Sequence, residues 1–156
     1  MKNKCFIGSF KNAMSGIIET IKNERNMRIH LSVFNLIIIF AYFYGLSRAE
    51  WAVLMLTCGC VIGAELINTA IENAVDTSTD KICETARVSK DSAAGAVLFL
   101  AMTSILVGIM LFFDVDKIAD TLIYIFTNLK VLIRCLAVGV LDIIFIIFGG
   151  KKNDRK

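Results

Sequence analysis

Apolar residues recur at three- and four-residue spacings over residues 6–24, where Phe6, Ile7, Phe10, Met14, Ile17, Ile18 and Ile21 alternate with Lys11, Asn12, Ser15, Glu19 and Lys22. This spacing predicts an amphipathic helix. With lysines on the polar face and bulky side chains opposite, such a helix rests on a membrane surface without crossing it. Residues 29–46 carry no charged side chain and are long enough to cross most of a ~30 Å hydrocarbon core, so they predict a first span. A turn at Gly45-Leu-Ser-Arg-Ala-Glu50 follows, with Trp51 placed as an interfacial anchor.

From Trp51 the first fourteen residues are uncharged, and the helical apolar pattern then continues while Glu65, Asn68, Glu72 and Asp76 enter. This predicts one helix from 51 to about 77 whose far end leaves the bilayer. A polar linker over 78–90 leads to 92–113, an uncharged third span closed by Asp114 and Asp116. Residues 118–150 are apolar enough for a fourth span but contain Arg134 and Asp142. Each charge would cost about 2.5–3.5 kcal/mol at mid-membrane, so both are expected to snorkel, pair or face protein. Eight positions apart, they are too distant to pair within one helix. The expected fold is an all-α integral membrane bundle: a surface helix, three core spans and a fourth C-terminal hydrophobic helix. We divide it into a core over 1–116 and a C-terminal extension over 117–156.

Composition agrees, with 56% hydrophobic residues among 156, above the roughly 45–50% of soluble domains. The net charge of +3 is spread too thinly for a nucleic-acid stripe, so no nucleic-acid partner is expected. The N-terminus interleaves charge with apolar residues and lacks the continuous apolar core of a cleaved signal, so the first span is expected to direct insertion. Six basic residues precede that span, one (Arg48) lies in the first turn, three in 78–90 and four in the final KKNDRK. The positive-inside rule then puts the N-terminus, the 78–90 linker and, given a fourth span, the tail in the cytoplasm. The five cysteines form no C-x-x-C pair and read as buried apolar thiols, while His30 lacks a ligand partner at metal-site spacing.

At about 100° per residue, Glu65, Asn68, Glu72 and Asp76 share a stripe about 80° wide, with Thr69 beside it. A helix leaving the membrane explains Asp76, and in part Glu72, as a solvated face. It does not explain Glu65, embedded in GAELINTAI, because an ionisable group at that depth marks function by default and suits a general base. The topology brings Glu24, Glu72, Lys90 and Asp91 to the same membrane face. Two carboxylates suit Mg²⁺ shared with nucleotide phosphates, and a lysine neutralises phosphate charge. No G-x-x-x-x-G-K-[ST] loop occurs, so any ATP site is not a P-loop. Gly59 and Gly63 form a G-x-x-x-G, a weak sign of helix association by itself.

The string from Glu65 to Asp76, ELINTAIENAVD, followed by Ser89-Lys90-Asp91-Ser-Ala-Ala-Gly-Ala-Val97, resembles the prokaryotic diacylglycerol kinase family, which includes undecaprenol kinases. Phe10-Lys-Asn-Ala-Met-Ser-Gly16 and Asn23-Glu24-Arg25-Asn-Met-Arg28 are similar to its N-terminal motifs, so the likeness runs from about residue 5 to 113. The resemblance implies a homotrimer in the bacterial cytoplasmic membrane, with active sites shared between subunits near the cytoplasmic face. It implies transfer of phosphate from ATP to a membrane lipid alcohol, undecaprenol ahead of diacylglycerol. It also implies Glu65 as the base, Glu24 and Glu72 as Mg²⁺ ligands, and Asn68, Lys90 and Asp91 as groups that position ATP or the base. Asn12 takes a position that in the family lies against the nucleotide. The chain departs from the family pattern at Asp80-Lys81-Ile82-Cys83-Glu84 and after about residue 117. The rival expectation is a small proton-coupled transporter built on Glu65; another is a non-catalytic scaffold.

Overall fold

A computed structural model describes residues 6–78 and 83–150. Its order is α1 (Phe6–Asn23), α2 (Arg25–Tyr44), α3 (Arg48–Ser78), α4 (Glu84–Leu111), α5 (Val115–Thr127) and α6 (Leu129–Phe148). Among the described residues there is no strand, and four helices, α2, α3, α4 and α6, are long and apolar enough to cross a membrane. The amphipathic helix and the long helix form where the apolar periodicity places them.

The long helix starts three residues early, at Arg48, and α4 stops at Leu111, two residues short of the expected 113; three other boundary differences have a local reason. The first span starts at Arg25, not 29, and stops at Tyr44, where Gly45 takes φ 74° and donates its N–H to Ala41 O at 3.0 Å. Glycine carries that left-handed C-terminal residue without a Cβ clash. The linker expected over 78–90 is shorter, because α4 is already helical from Glu84. Arg87 there bonds Glu84 at 2.5 Å and Asp91 at 2.7 Å. Such exposed i,i+3 and i,i+4 pairs add only tenths of a kcal/mol, about what a polar first turn needs to persist. The 117–150 segment is two helices meeting at Asn128, which closes α5 with its N–H on Tyr124 O and opens α6 by accepting from Val131 N at 3.3 Å. Of the divergent stretch, residues 80–82 lie outside the described residues.

The buried cluster Ala41, Tyr44, Leu46 and Leu54 gathers at the end of the bundle away from α1, with Phe40, Trp51 and Phe112 packed against it. Phe112 meets the rings of Phe40 and Tyr44 edge-on, at centroid distances of 5.3 and 5.0 Å. Here α5 docks: Lys117 Nζ donates to Gly45 O at 3.2 Å and stands 4.4 Å over the Tyr44 ring. Beyond it, α6 runs antiparallel along α2. Asn35 donates to both carboxylate oxygens of Asp142, at 3.1 and 3.3 Å. Asp142 therefore finds hydrogen-bond donors across helices, which offsets part of the cost of a charge in the span. Arg134, by contrast, is exposed.

Among the described residues the thiols are not buried as expected: Cys60 and Cys83 are exposed, and Cys58 and Cys135 are half-buried, while Cys5 lies outside the described residues. A Cβ on Gly59 or Gly63 would meet nothing within 4 Å, so packing within this chain does not use the small-residue stripe. On α4, Leu98, Phe99, Met102, Ile105, Leu106 and Ile109 are all exposed. In a bilayer such a surface faces lipid or another subunit.

Candidate functional site

The end of the bundle beside α1 is polar where the other end is aromatic. The α3 stripe turns inward, leaving Glu65 only 2% exposed and Asn68 7%. Glu65 Oε2 and Asn68 Oδ1 are buried with no hydrogen-bond partner among the described residues. Uncompensated burial of such atoms costs on the order of 1–3 kcal/mol each, a cost retained where a ligand or reaction uses the group. Asn68 Nδ2 donates to Glu72 Oε1 at 2.9 Å, fixing the Glu72 carboxylate, and Thr69 Oγ1 donates to Glu65 O at 3.0 Å. One turn apart on one face, Asn68 and Glu72 meet as the helical repeat requires.

Glu24 arrives from the elbow between α1 and α2. It is the N-cap of α2 in extended backbone (φ −101°, ψ 120°), yet its side chain makes no capping bond, so its carboxylate is not committed to the helix end. The elbow is held by the Glu24 N–H on Thr20 O at 2.8 Å. Both Glu24 and Glu72 act electrostatically on Glu65, so one chain gathers three carboxylates from two parts of the fold. Like charges in a low-dielectric site repel unless a proton or a cation joins them.

A cleft of about 540 Å³ opens between α1 and α3, lined by Gly16, Thr20, Asn23, Glu24, Thr69 and Asn73 among others. Asn23 Nδ2 donates to Glu19 Oε1 at 3.4 Å on its rim. Of the polar cleft residues, Glu24 was singled out from the sequence and Thr69 placed beside the stripe, whereas Thr20, Asn23 and Asn73 were not. Thr20 and Asn23 follow from the face of α1 turned towards Thr69, but periodicity alone does not say which face meets which helix.

The other predicted residues fall outside this cluster to different degrees. Lys90 ion-pairs with Asp76, so it reaches the α3 stripe one turn beyond Glu72. Asp91 is exposed and held by Arg87 at 2.7 Å, not by Lys90, so the two neighbours in sequence point to different partners. Asn12 is exposed and does not line the cleft, whereas Ala13 and Gly16 do. Among the described residues no three His, Cys, Asp or Glu side chains group as a self-sufficient metal site. The donor set suits a hard cation that takes one or two carboxylates and completes its shell with water and phosphate oxygens, which is how Mg²⁺ is ordinarily held.

Comparison with known proteins identifies the family. The prokaryotic diacylglycerol kinase family matches residues 11–112, which run from α1 to the end of α4. The chain is 40% identical over 107 residues to an undecaprenol kinase of Bacillus subtilis, covering 69% of this chain and 87% of that protein. It is 40% identical over 101 residues to a diacylglycerol kinase of Synechocystis sp., covering 64% of this chain and 58% of that relative's length. No solved structure matches significantly.

Proposed function

This chain belongs to the prokaryotic diacylglycerol kinase family and is a lipid kinase, and from that premise we propose that it phosphorylates undecaprenol with MgATP at the cytoplasmic membrane face. The observation that carries the mechanism is Glu65, nearly fully buried with a free carboxylate oxygen and flanked by Glu24 and Glu72. In this reading Glu65 accepts the proton of the lipid hydroxyl as that oxygen forms its bond to the γ-phosphorus and the bond to ADP breaks. Glu24 and Glu72 hold Mg²⁺, and Asn68 orients the Glu72 carboxylate. Bound there, the ion would neutralise charge on the phosphate oxygens. Lys90, one turn further out, would meet the phosphates, with Asp91 and Asn12 at the nucleotide's outer side. Undecaprenol is favoured because the Bacillus relative, matched over most of its length, bears that name. Family membership leaves a proton-coupled transporter without support.

Purified protein in mixed micelles, given γ-labelled ATP and a panel of lipid alcohols, is expected to label undecaprenol well above diacylglycerol. Preferential labelling of diacylglycerol would overturn the substrate, and no labelled lipid at all would overturn the kinase. In the same assay a chain ended after Asp116 should keep measurable activity, since the family match stops at residue 112 and none of the proposed site residues lies in α5 or α6. Loss of catalysis in a truncated protein that still inserts would show that the core over 1–116 is not sufficient.

The metal assignment has its own test. Glu24→Ala and Glu72→Ala should each raise the Mg²⁺ concentration needed for half-maximal rate, by roughly tenfold or more, since each removes one of few protein ligands. An unchanged Mg²⁺ requirement in both variants places the ligands elsewhere.

A further inference from the structure

Arg28 has no part in the chemistry above, yet it is only 7% exposed at the first turn of a membrane span. Its guanidinium bonds backbone carbonyls. Nη1 donates to Ile21 O at 2.9 Å and Lys22 O at 3.2 Å, both in the last turn of α1. Nε donates to Ile146 O at 3.4 Å, in the last turn of α6. The last carbonyls of a helix lack intrahelical partners and carry the negative end of its dipole, so a buried cation satisfies both needs. One side chain thereby closes the C-terminal ends of two helices that are more than a hundred residues apart in sequence. A planar, multi-donor guanidinium can do this where a lysine's point charge cannot.

The end of α6 is built to admit it. A Cβ on Gly150 would stand 2.8 Å from Arg28 Nη2 and 3.0 Å from Cζ, and one on Gly149 would stand 3.1 Å from Cδ. Paired glycines thus let the α6 terminus lie against the guanidinium. Glu24 sits between the two α1 carbonyls and Arg28 itself, on the elbow this clamp closes.

We propose that Arg28 is a positioning residue that ties the C-terminal ends of α1 and α6 together, and that through it the fourth span holds the Glu24 elbow in register for metal binding. The role in metal binding rests on the reading of Glu24 as a Mg²⁺ ligand. Residues 117–150 then have a function in the kinase: they are not needed for chemistry, but they tighten its metal site from outside the matched core.

The test uses the full chain in phospholipid nanodiscs, as wild type, Arg28→Gln and Gly150→Val. The glycine variant presses on the flexible end of Arg28, so it parts the two helix ends while leaving the spans intact. Both variants should speed amide exchange over residues 21–26 several-fold. Both should also raise the half-saturating Mg²⁺ several-fold, with the KM for lipid unchanged and kcat largely recovered at high Mg²⁺. A merely structural role would reduce the amount of folded protein without this split. Unaltered exchange in both variants overturns the clamp. Faster exchange with an unaltered Mg²⁺ requirement overturns its effect on Glu24. Glu24→Ala separates that failure from a failure of the ligand reading, because only the latter leaves its own Mg²⁺ requirement unchanged.

Discussion

Glu65→Gln should lower lipid phosphorylation by about 10²–10⁴-fold, the usual contribution of a positioned general base. The amide keeps the shape of the side chain and an acceptor oxygen but cannot take a proton. Binding of MgATP should persist, because Glu24 and Glu72 are untouched. Stability should hold or rise. Glu65 is buried with one carboxylate oxygen unpartnered and two further carboxylates acting on it, so the wild-type acid is kept at a cost to the fold. Turnover measured beside thermal unfolding and nucleotide binding checks all three. Near-normal turnover in the folded variant would remove Glu65 from the role of base, and a parallel loss of unfolding temperature would make its role structural.

Much of this site was readable from the chain because a helix converts spacing into a face. Glu65, Asn68 and Glu72 were placed on one stripe by their numbers alone, and α3 buries the first two and half-buries the third. Long uncharged runs identified the spans with equal directness, because nothing else accommodates them. What spacing cannot supply is the partner. Asp142 was correctly judged too far from Arg134 to pair within one helix, but its actual partner, Asn35, lies 107 residues away on α2. Lys90 and Asp91 were placed at the same membrane face, yet adjacent residues on a helix point about 100° apart, and each finds a different neighbour. Arg28 belonged to a motif without a visible role, since its acceptors are backbone carbonyls that no side-chain pattern reveals. The start of α4 was missed because a charged turn reads as a linker until its ion pairs are seen.

Assembly should divide the site in a particular way. A chain with few buried residues and an exposed apolar face on α4 is expected to associate, and the family resemblance implies a trimer with shared sites. Because Glu24 and Glu72 of the same chain both act on Glu65, sharing is expected not to separate the proposed base from the proposed metal ligands. Of the proposed residues outside this cluster, Lys90 still reaches the α3 stripe through Asp76, while Asp91, exposed and held by Arg87, and Asn12, exposed on α1, do not. If a neighbour completes the site, it does so through these. Co-assembly of inactive Glu65→Gln with inactive Asp91→Asn should then restore activity. With random mixing at equal amounts, one site in about four would draw an intact α3 from one subunit and an intact Asp91 from the next, so recovery should approach a quarter of the wild-type rate. At a Mg²⁺ concentration too low to support Glu24→Ala, mixtures of Glu65→Gln with Glu24→Ala should stay at the single-mutant level, because every α1–α3 unit then carries one lesion. Recovery in that second mixture would mean that α1 of one subunit serves α3 of another. No recovery in the first, with mixed oligomers demonstrated by orthogonal tags, would make each protomer catalytically self-contained and leave Asp91 to its own chain's site.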